Sequence, residues 1–225
     1  MQVTNLAYFF DTARKVRGGK WVWVKDSNGE GRKNVLLGGT ILNPNKGFGH
    51  LWAAQLVQYT PAEGCLIFRS FEVAENAAAN ATSIKINGDG YSDVPEVGQL
   101  LMVAPDAVDT TGQSAVVTAV EYNRSDSTFT VTLSTALGAL EAGTILVEAD
   151  GETASAEASV LVTNPNTFIE ADRDMLPTEG YGVLGDTNYS ISTVHDKEAW
   201  IARMQPLPKY VLAKNRSYIE GIFWI

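Results

Sequence analysis

The sequence predicts a mainly β protein in which a small acidic β-barrel is inserted into a second, β-rich (α+β) domain with two short helices. Three observations carry that reading. The first is a series of five short apolar runs between Ala81 and Asp150: Ser83–Ile86, Leu100–Val103, Val116–Val120, Phe129–Leu133 and Thr144–Val147. Several alternate apolar and polar residues at period two, as a half-buried antiparallel strand does. Turn-forming residues separate them at Asn87 to Gly90, Pro95 to Gly98, Gly112, Asn123 to Ser127 and Gly143. Such spacing suits a compact barrel or sandwich and not βαβ units. The second observation is a pair of small, polar borders, Glu75 to Asn80 and Asp150 to Ser155. They divide the chain into a barrel over residues 76–155 and a discontinuous base over residues 1–75 and 156–225. A short echo, Asn43-Pro44-Asn45 and Asn164-Pro165-Asn166, flanks the insert.

The third observation is charge. The net charge is −9, but residues 1–75 hold nine Lys/Arg against six Asp/Glu, while residues 76–150 hold two against ten. An acidic module repels nucleic acid, whose phosphates need a cationic surface. The same sign keeps a crowded module soluble. No apolar run is long enough to span a membrane, and the start lacks the cationic-then-apolar order of a signal peptide, so synthesis in a cytoplasm is expected. Cys65 is the single cysteine, which leaves no disulfide framework and reads as a small core residue.

Taken in order, Leu6, Phe9, Phe10, Ala13 and Val16 fall at helical spacing, with Thr4 or Asn5 as the cap. Arg14, Lys15 and Arg17 suit the negative end of that helix before Gly18-Gly19. A hairpin follows, Lys20–Lys25 against Val35–Leu37 across Ser27–Gly31. Trp21 and Trp23 share one face of its first strand, where aromatic rings serve as core, as interface or as a platform for sugars. Leu51 to Tyr59 comes next, then Cys65 to Val73 as one strand.

Past the insert, Ala158 to Val162 reads as a strand. Ser192 or Thr193 caps a second helix running through Trp200, Ile201 and Met204, with Asp196 and Glu198 near its positive end and Pro206 and Pro208 closing it. The final Ile222-Phe223-Trp224-Ile225 is too apolar for a frayed tail and is expected in a sheet or a subunit contact.

Catalytic signatures are not written locally. His50 and His195 lie far apart without metal-spaced neighbours, and no nucleophile elbow, phosphate loop or dinucleotide fingerprint occurs. Gly88-Asp89-Gly90 lacks the lysine and following helix of a nucleotide loop. Glu170, Asp172 and Asp174 alternate as hard-cation ligands do, but without a calcium loop they read as solvated charge. No cofactor, no metal and no enzymatic activity is expected.

The ordered series Ala81–Ile86, Val97–Val103, Ala115–Tyr122, Ser127–Leu137 and Ala142–Ile145 resembles the small β-barrel modules of tailed-bacteriophage virion proteins, notably capsid, head-decoration and head-fibre proteins. The resemblance covers about a third of the chain and rests on pattern, so it carries no catalytic residues with it. It implies a structural protein of a phage or prophage virion, made in the bacterial cytoplasm, that decorates or stabilises the head. Its partners would be capsid or other virion proteins and further copies of itself, a trimer being one arrangement. Arg14, Lys15, Arg17, Trp21, Trp23, Ile222, Phe223, Trp224 and Ile225 are the candidate contacts. The alternative is a carbohydrate- or ligand-binding module of a tail or adhesin protein, with Trp21, Trp23, Trp52 and Tyr59 as its platform.

Overall fold

A computed structural model describes the backbone of residues 24–26, 34–40, 50–51, 55–60, 64–88, 93–153, 157–169, 173–174, 188–194, 197–199, 201, 204–213 and 222–224. Side chains are described within 55–60, 66–88, 93–153, 157–167, 201 and 204–213. The protein is mainly β, as the sequence predicts.

Residues 70–148 build a six-stranded antiparallel sheet from β6 (Ser70–Glu72), β7 (Ser83–Asn87), β8 (Leu100–Val103), β9 (Ser114–Asn123), β10 (Thr128–Leu133) and β11 (Ile145–Glu148), in the order β6-β11-β8-β9-β10-β7. All five strands expected here form. β7 and β10 alternate because one face meets the core: Ile84, Ile86, Phe129, Val131 and Leu133 are buried, with Lys85, Thr130 and Thr132 half-buried between them. β8 and β11 do not alternate, because both their faces are covered. Leu101 and Leu146 point into the module's own core, while Met102 and Val147 join a second core on the other side. Midway along β9 the register slips, so that Thr132 faces Ala119 but Leu133 faces Val117, leaving Thr118 as the extra residue of a bulge.

The sheet curls until its outer strands meet. Val73 bridges Ile86, and the Ala74 N–H donates to the Lys85 carbonyl at 2.8 Å. The stretch expected as a hinge, Glu75 to Asn80, is tied to the same module. Ala77 and Leu140 exchange both backbone hydrogen bonds, and Asn76 Oδ1 accepts the Ala142 N–H at 2.8 Å.

The remaining strands form three sheets. The largest contains β2 (Asn34–Thr40), β4 (Leu56–Thr60), β5 (Gly64–Ile67), β12 (Thr167–Ile169) and β14 (Asn188–Val194), in the order β2-β14-β12-β4-β5. A three-stranded sheet holds β1 (Val24–Asp26), β15 (Lys197–Ala199) and β16 (Ile222–Trp224), with β15 and β16 parallel. A small pair joins β3 (His50–Leu51) to β13 (Arg173–Asp174). One short helix, α1 (Lys209–Leu212), buries Tyr210 and Val211 in the second core beside Leu56, Phe68, Met102, Val147 and Val162.

Four local expectations are corrected. Of the hairpin expected between Lys20–Lys25 and Val35–Leu37, the described residues pair elsewhere: β1 lies against β15, and β2 against β14 over seven residues. A long β-branched partner elsewhere in the chain outcompetes the local turn. The helix expected from Ser192 to Met204 is instead the end of β14, then β15, then a single turn at Ile201. Its capping residues belong to Ser190-Ile191-Ser192-Thr193-Val194, a strand composition that overrides the cap signal. Cys65 to Val73 breaks into β5 and β6 at Phe68-Arg69. Pro208 does not close a helix but precedes one, at the N-cap of α1, where its missing N–H costs nothing. Ala158 to Val162, expected as a strand, makes two isolated bridges, Gly112–Ala158 and Ala149–Val160, and bends at Leu161. The Leu6–Val16 helix lies outside the described residues.

Candidate functional site

The break at Phe68-Arg69 is where the chain leaves one sheet for another. The Phe68 N–H still bonds the Leu56 carbonyl at 2.9 Å, continuing the β4–β5 ladder, while Ser70 opens β6 and pairs with Val147. Arg69, between them, points into the protein at 4% exposure and meets Glu148, which closes β11 and is equally buried. Arg69 Nη2 donates to Glu148 Oε1, and Gln99 Nε2 donates to the same oxygen at 3.0 Å.

Two more carboxyls face the guanidinium. Glu96 Oε2 lies 3.6 Å from Arg69 Nη1, too far for a hydrogen bond, and Asp93 Oδ2 accepts the Ser70 N–H at 3.2 Å. Gln99 secures the turn that carries Glu96, since its Oε1 accepts the Glu96 N–H at 3.1 Å. The segment after Met204 adds a strap: Ser70 Oγ donates to the Pro206 carbonyl, and Gln205 Nε2 donates to the Phe68 carbonyl at 3.0 Å.

The electrostatics follow from this burial. Desolvation works against the Arg69 charge, but Glu148, Glu96 and Asp93 outweigh it and hold the guanidinium above its ordinary value. Burial pushes the Glu96 carboxyl up to about 7, against the opposing pull of Arg69 and with help from Glu148 and Asp93. The Glu96 side chain is 32% exposed as a whole, yet its Oε2 is buried and accepts no hydrogen bond. Burial also raises the Tyr210 phenol, which donates to the Val162 carbonyl at 3.0 Å. The space lined by Phe68, Arg69, Val147, Glu148, Val162 and Tyr210 is too small for a water molecule. A guanidinium held in this way ties the end of β11 to the step between β5 and β6. Among the described residues, no three His, Cys, Asp or Glu side chains are grouped to hold a metal ion.

The outside of the same module is acidic. Glu75, Asp106, Asp109, Glu121, Asp126, Glu141, Asp150, Glu152 and Glu157 are exposed, and Arg124 is an exposed cation among them. Lys85 is half-buried between Glu75, 3.2 Å away, and Asp126, 3.8 Å away.

Of the contacts read from the sequence, Arg14, Lys15, Arg17, Trp21, Trp23 and Ile225 lie outside the described residues. Ile222, Phe223 and Trp224 form β16, facing Lys197, Glu198 and Ala199 in register, so the apolar end is tied into a sheet. Trp52 and His195 also lie outside the description, as do Glu170 and Asp172. Tyr59 is half-buried on β4, Cys65 faces it across the β4–β5 ladder, and His50 faces Asp174. The sequence reading did not single out Arg69, Glu96, Gln99 or Glu148. Two signals were available: Glu148 ends the apolar run Ile145-Leu146-Val147, and Arg69 sits between Phe68 and Phe71.

No protein-family model matches the chain, and no curated protein matches it. Among the described residues no helix is long and apolar enough to cross a membrane.

Proposed function

We propose that this chain is a non-enzymatic structural protein of a bacteriophage or prophage virion that decorates or stabilises the capsid. The observation that carries the reading is the module over residues 70–148, a curled six-stranded sheet with its own apolar core and a carboxylate-rich exterior. Its strands follow the ordered series that resembles phage virion modules. Joining the outer strands at Val73 and Ile86 also limits free sheet edge, which suits a protein held at high local density. The base, over residues 1–75 and 156–225, is the anchor. Arg14, Lys15, Arg17, Trp21 and Trp23 supply cationic and aromatic contacts to the shell, and the apolar residues Ile222 to Ile225 supply a contact between copies. The acidic module then projects into solvent.

The test is co-sedimentation of the purified chain with capsids of the phage or prophage that encodes it, beside its mass in solution by light scattering. Saturable binding is expected. Charge reversal at Arg14, Lys15 and Arg17 is expected to weaken it and make it more salt-sensitive. Binding unchanged by the reversal removes the anchor, and no capsid binding by the intact chain removes the reading.

A further inference from the structure

The cluster around Arg69 holds three carboxyl groups for one guanidinium, and they are not equivalent. Glu148 is closed on Arg69 and is also bonded by Gln99. Asp93 accepts a backbone N–H. Of the three, Glu96 presents a buried oxygen that accepts no hydrogen bond, with Arg69 Nη1 3.6 Å away, and it sits on a tight turn at the protein surface. In that turn the Gln99 N–H bonds the Glu96 carbonyl at 3.2 Å, Gly98 takes φ +90°, and Val97 is 62% exposed. A neutral carboxyl fits this place at modest cost. An ionised one adds a further negative charge beside Glu148 and Asp93, with its oxygen shielded from water.

We propose that residues 93–99 form a pH-operated clasp over the Arg69–Glu148 pair, seated while Glu96 is protonated and released when Glu96 ionises. The groups facing Glu96 are Arg69 from the step between β5 and β6, Glu148 from β11 and Asp93 from its own segment. Tyr210 of α1 lies on the far side of the pair, engaged with Val162. Arg69 attracts the ionised form through Nη1, while its Nη2 is engaged by Glu148. Asp93 and Gln99 anchor the two ends of the clasp, on the Ser70 N–H and on Glu148. Two backbone bonds tie the turn to β9, Gly98 N–H to the Val117 carbonyl and Val117 N–H to the Gln99 carbonyl, both at 2.8 Å. On release the proton goes to solvent and Glu96 turns outward with Val97. Gln99 is then drawn off Glu148, which loosens the junction between the two sheets. The seated carboxyl ionises at about 7 and a released one at its ordinary value, so release grows as pH rises between the two.

The test is hydrogen–deuterium exchange on the full chain from about pH 4.5 to 9, corrected for the intrinsic rise of exchange with pH. The Gly98, Gln99 and Val117 amides are the reporters. Their protection is expected to fall by about tenfold per pH unit between about pH 5 and pH 7, as one coupled proton requires, and to level off above that window. The Phe129 and Leu146 amides of the core should keep theirs. Glu96→Gln, which cannot ionise, is expected to hold the reporters level throughout. Should that variant fail to fold, Glu96→Ala serves the same purpose. Level protection in the wild-type chain between pH 5 and pH 7 overturns the proposal. So does a pH-dependent loss that persists in the variant, or one that the core amides share.

Discussion

Asn166 completes the hydrogen bonding of Tyr59 as a neighbouring strand would. Its Oδ1 accepts the Tyr59 N–H at 2.8 Å and its Nδ2 donates to the Tyr59 carbonyl at 2.9 Å, across 107 residues of sequence. The Asn166 N–H itself bonds the Val57 carbonyl at 2.9 Å, so side chain and backbone together extend the β4–β12 ladder by a residue pair. Asn166→Asp keeps the size but replaces the donor with a second acceptor facing a carbonyl. A loss of about 1–3 kcal/mol is expected in urea unfolding, as for a partly buried group left unsatisfied. A variant as stable as the parent would show the pairing to be incidental.

Gly88 has a steric role that Gly98, Gly138, Gly143 and Gly151 lack. A Cβ there would lie 2.7 Å from the Ser127 carbonyl oxygen and 3.0 Å from the Phe129 ring, while the Gly88 N–H bonds that same oxygen at 2.8 Å. Gly88→Ala must part β7 from β10 or break this bond, and a cost of about 1–3 kcal/mol is expected. Gly151→Ala meets open space and is the control. Equal midpoints for the two variants would show that the hairpin end yields freely.

Arg69 and Glu148 are expected to be unequal alone and together. Arg69→Met leaves Glu148 buried and uncompensated, and about 3–5 kcal/mol should be lost. Adding Glu148→Leu removes the orphaned charge and should recover much of that loss. A double variant that is worse than the single, by thermal or urea unfolding, would mean the pair itself is strongly stabilising.

The Glu96 carboxyl gives stability a pH dependence whose sign is fixed. Its affinity for a proton is raised from 4.5 to about 7 in the folded chain. Between those values the folded state therefore binds more proton than the unfolded one, and stability falls as pH rises through that window. Above it the loss is complete. Urea midpoints at pH 5 and pH 8 are expected to differ less in Glu96→Gln than in the parent. The same difference in both would place the titration elsewhere.

Much of the module was legible in the sequence because its strands advertise themselves one by one. Ser83-Ile84-Lys85-Ile86 and Phe129-Thr130-Val131-Thr132-Leu133 alternate, and Leu100–Val103 and Ile145–Val147 are unbroken because they are covered on both faces. The break at Arg69 was not legible, since the apolar pattern runs on from Leu66 to Val73 and only the choice of partners divides it. Partner choice in the larger sheet was hidden for the same reason, as β2 finds β14 about 150 residues away. Four residues of α1 are too few to display a helical period. The charge cluster was half visible: Glu148 is a lone carboxyl at the end of an apolar run, but that Arg69, Glu96 and Gln99 converge on it depends on tertiary folding.

The placement of the strands along the chain has a consequence for how the protein is made. Every strand of the six-stranded sheet lies within residues 70–148, whereas β2, β4 and β5 wait for β12 and β14, which are synthesised afterwards. As the chain leaves the ribosome, the inner sheet can therefore be complete while the outer one still lacks its central members. Once β11 has joined β6, Ser70 lies opposite Val147, and a long intervening span has become a short tether. The entropy of bringing β4 and β12 together is then set by that tether and not by the full length between them. The first sheet to close prepares the meeting of strands that the second depends on.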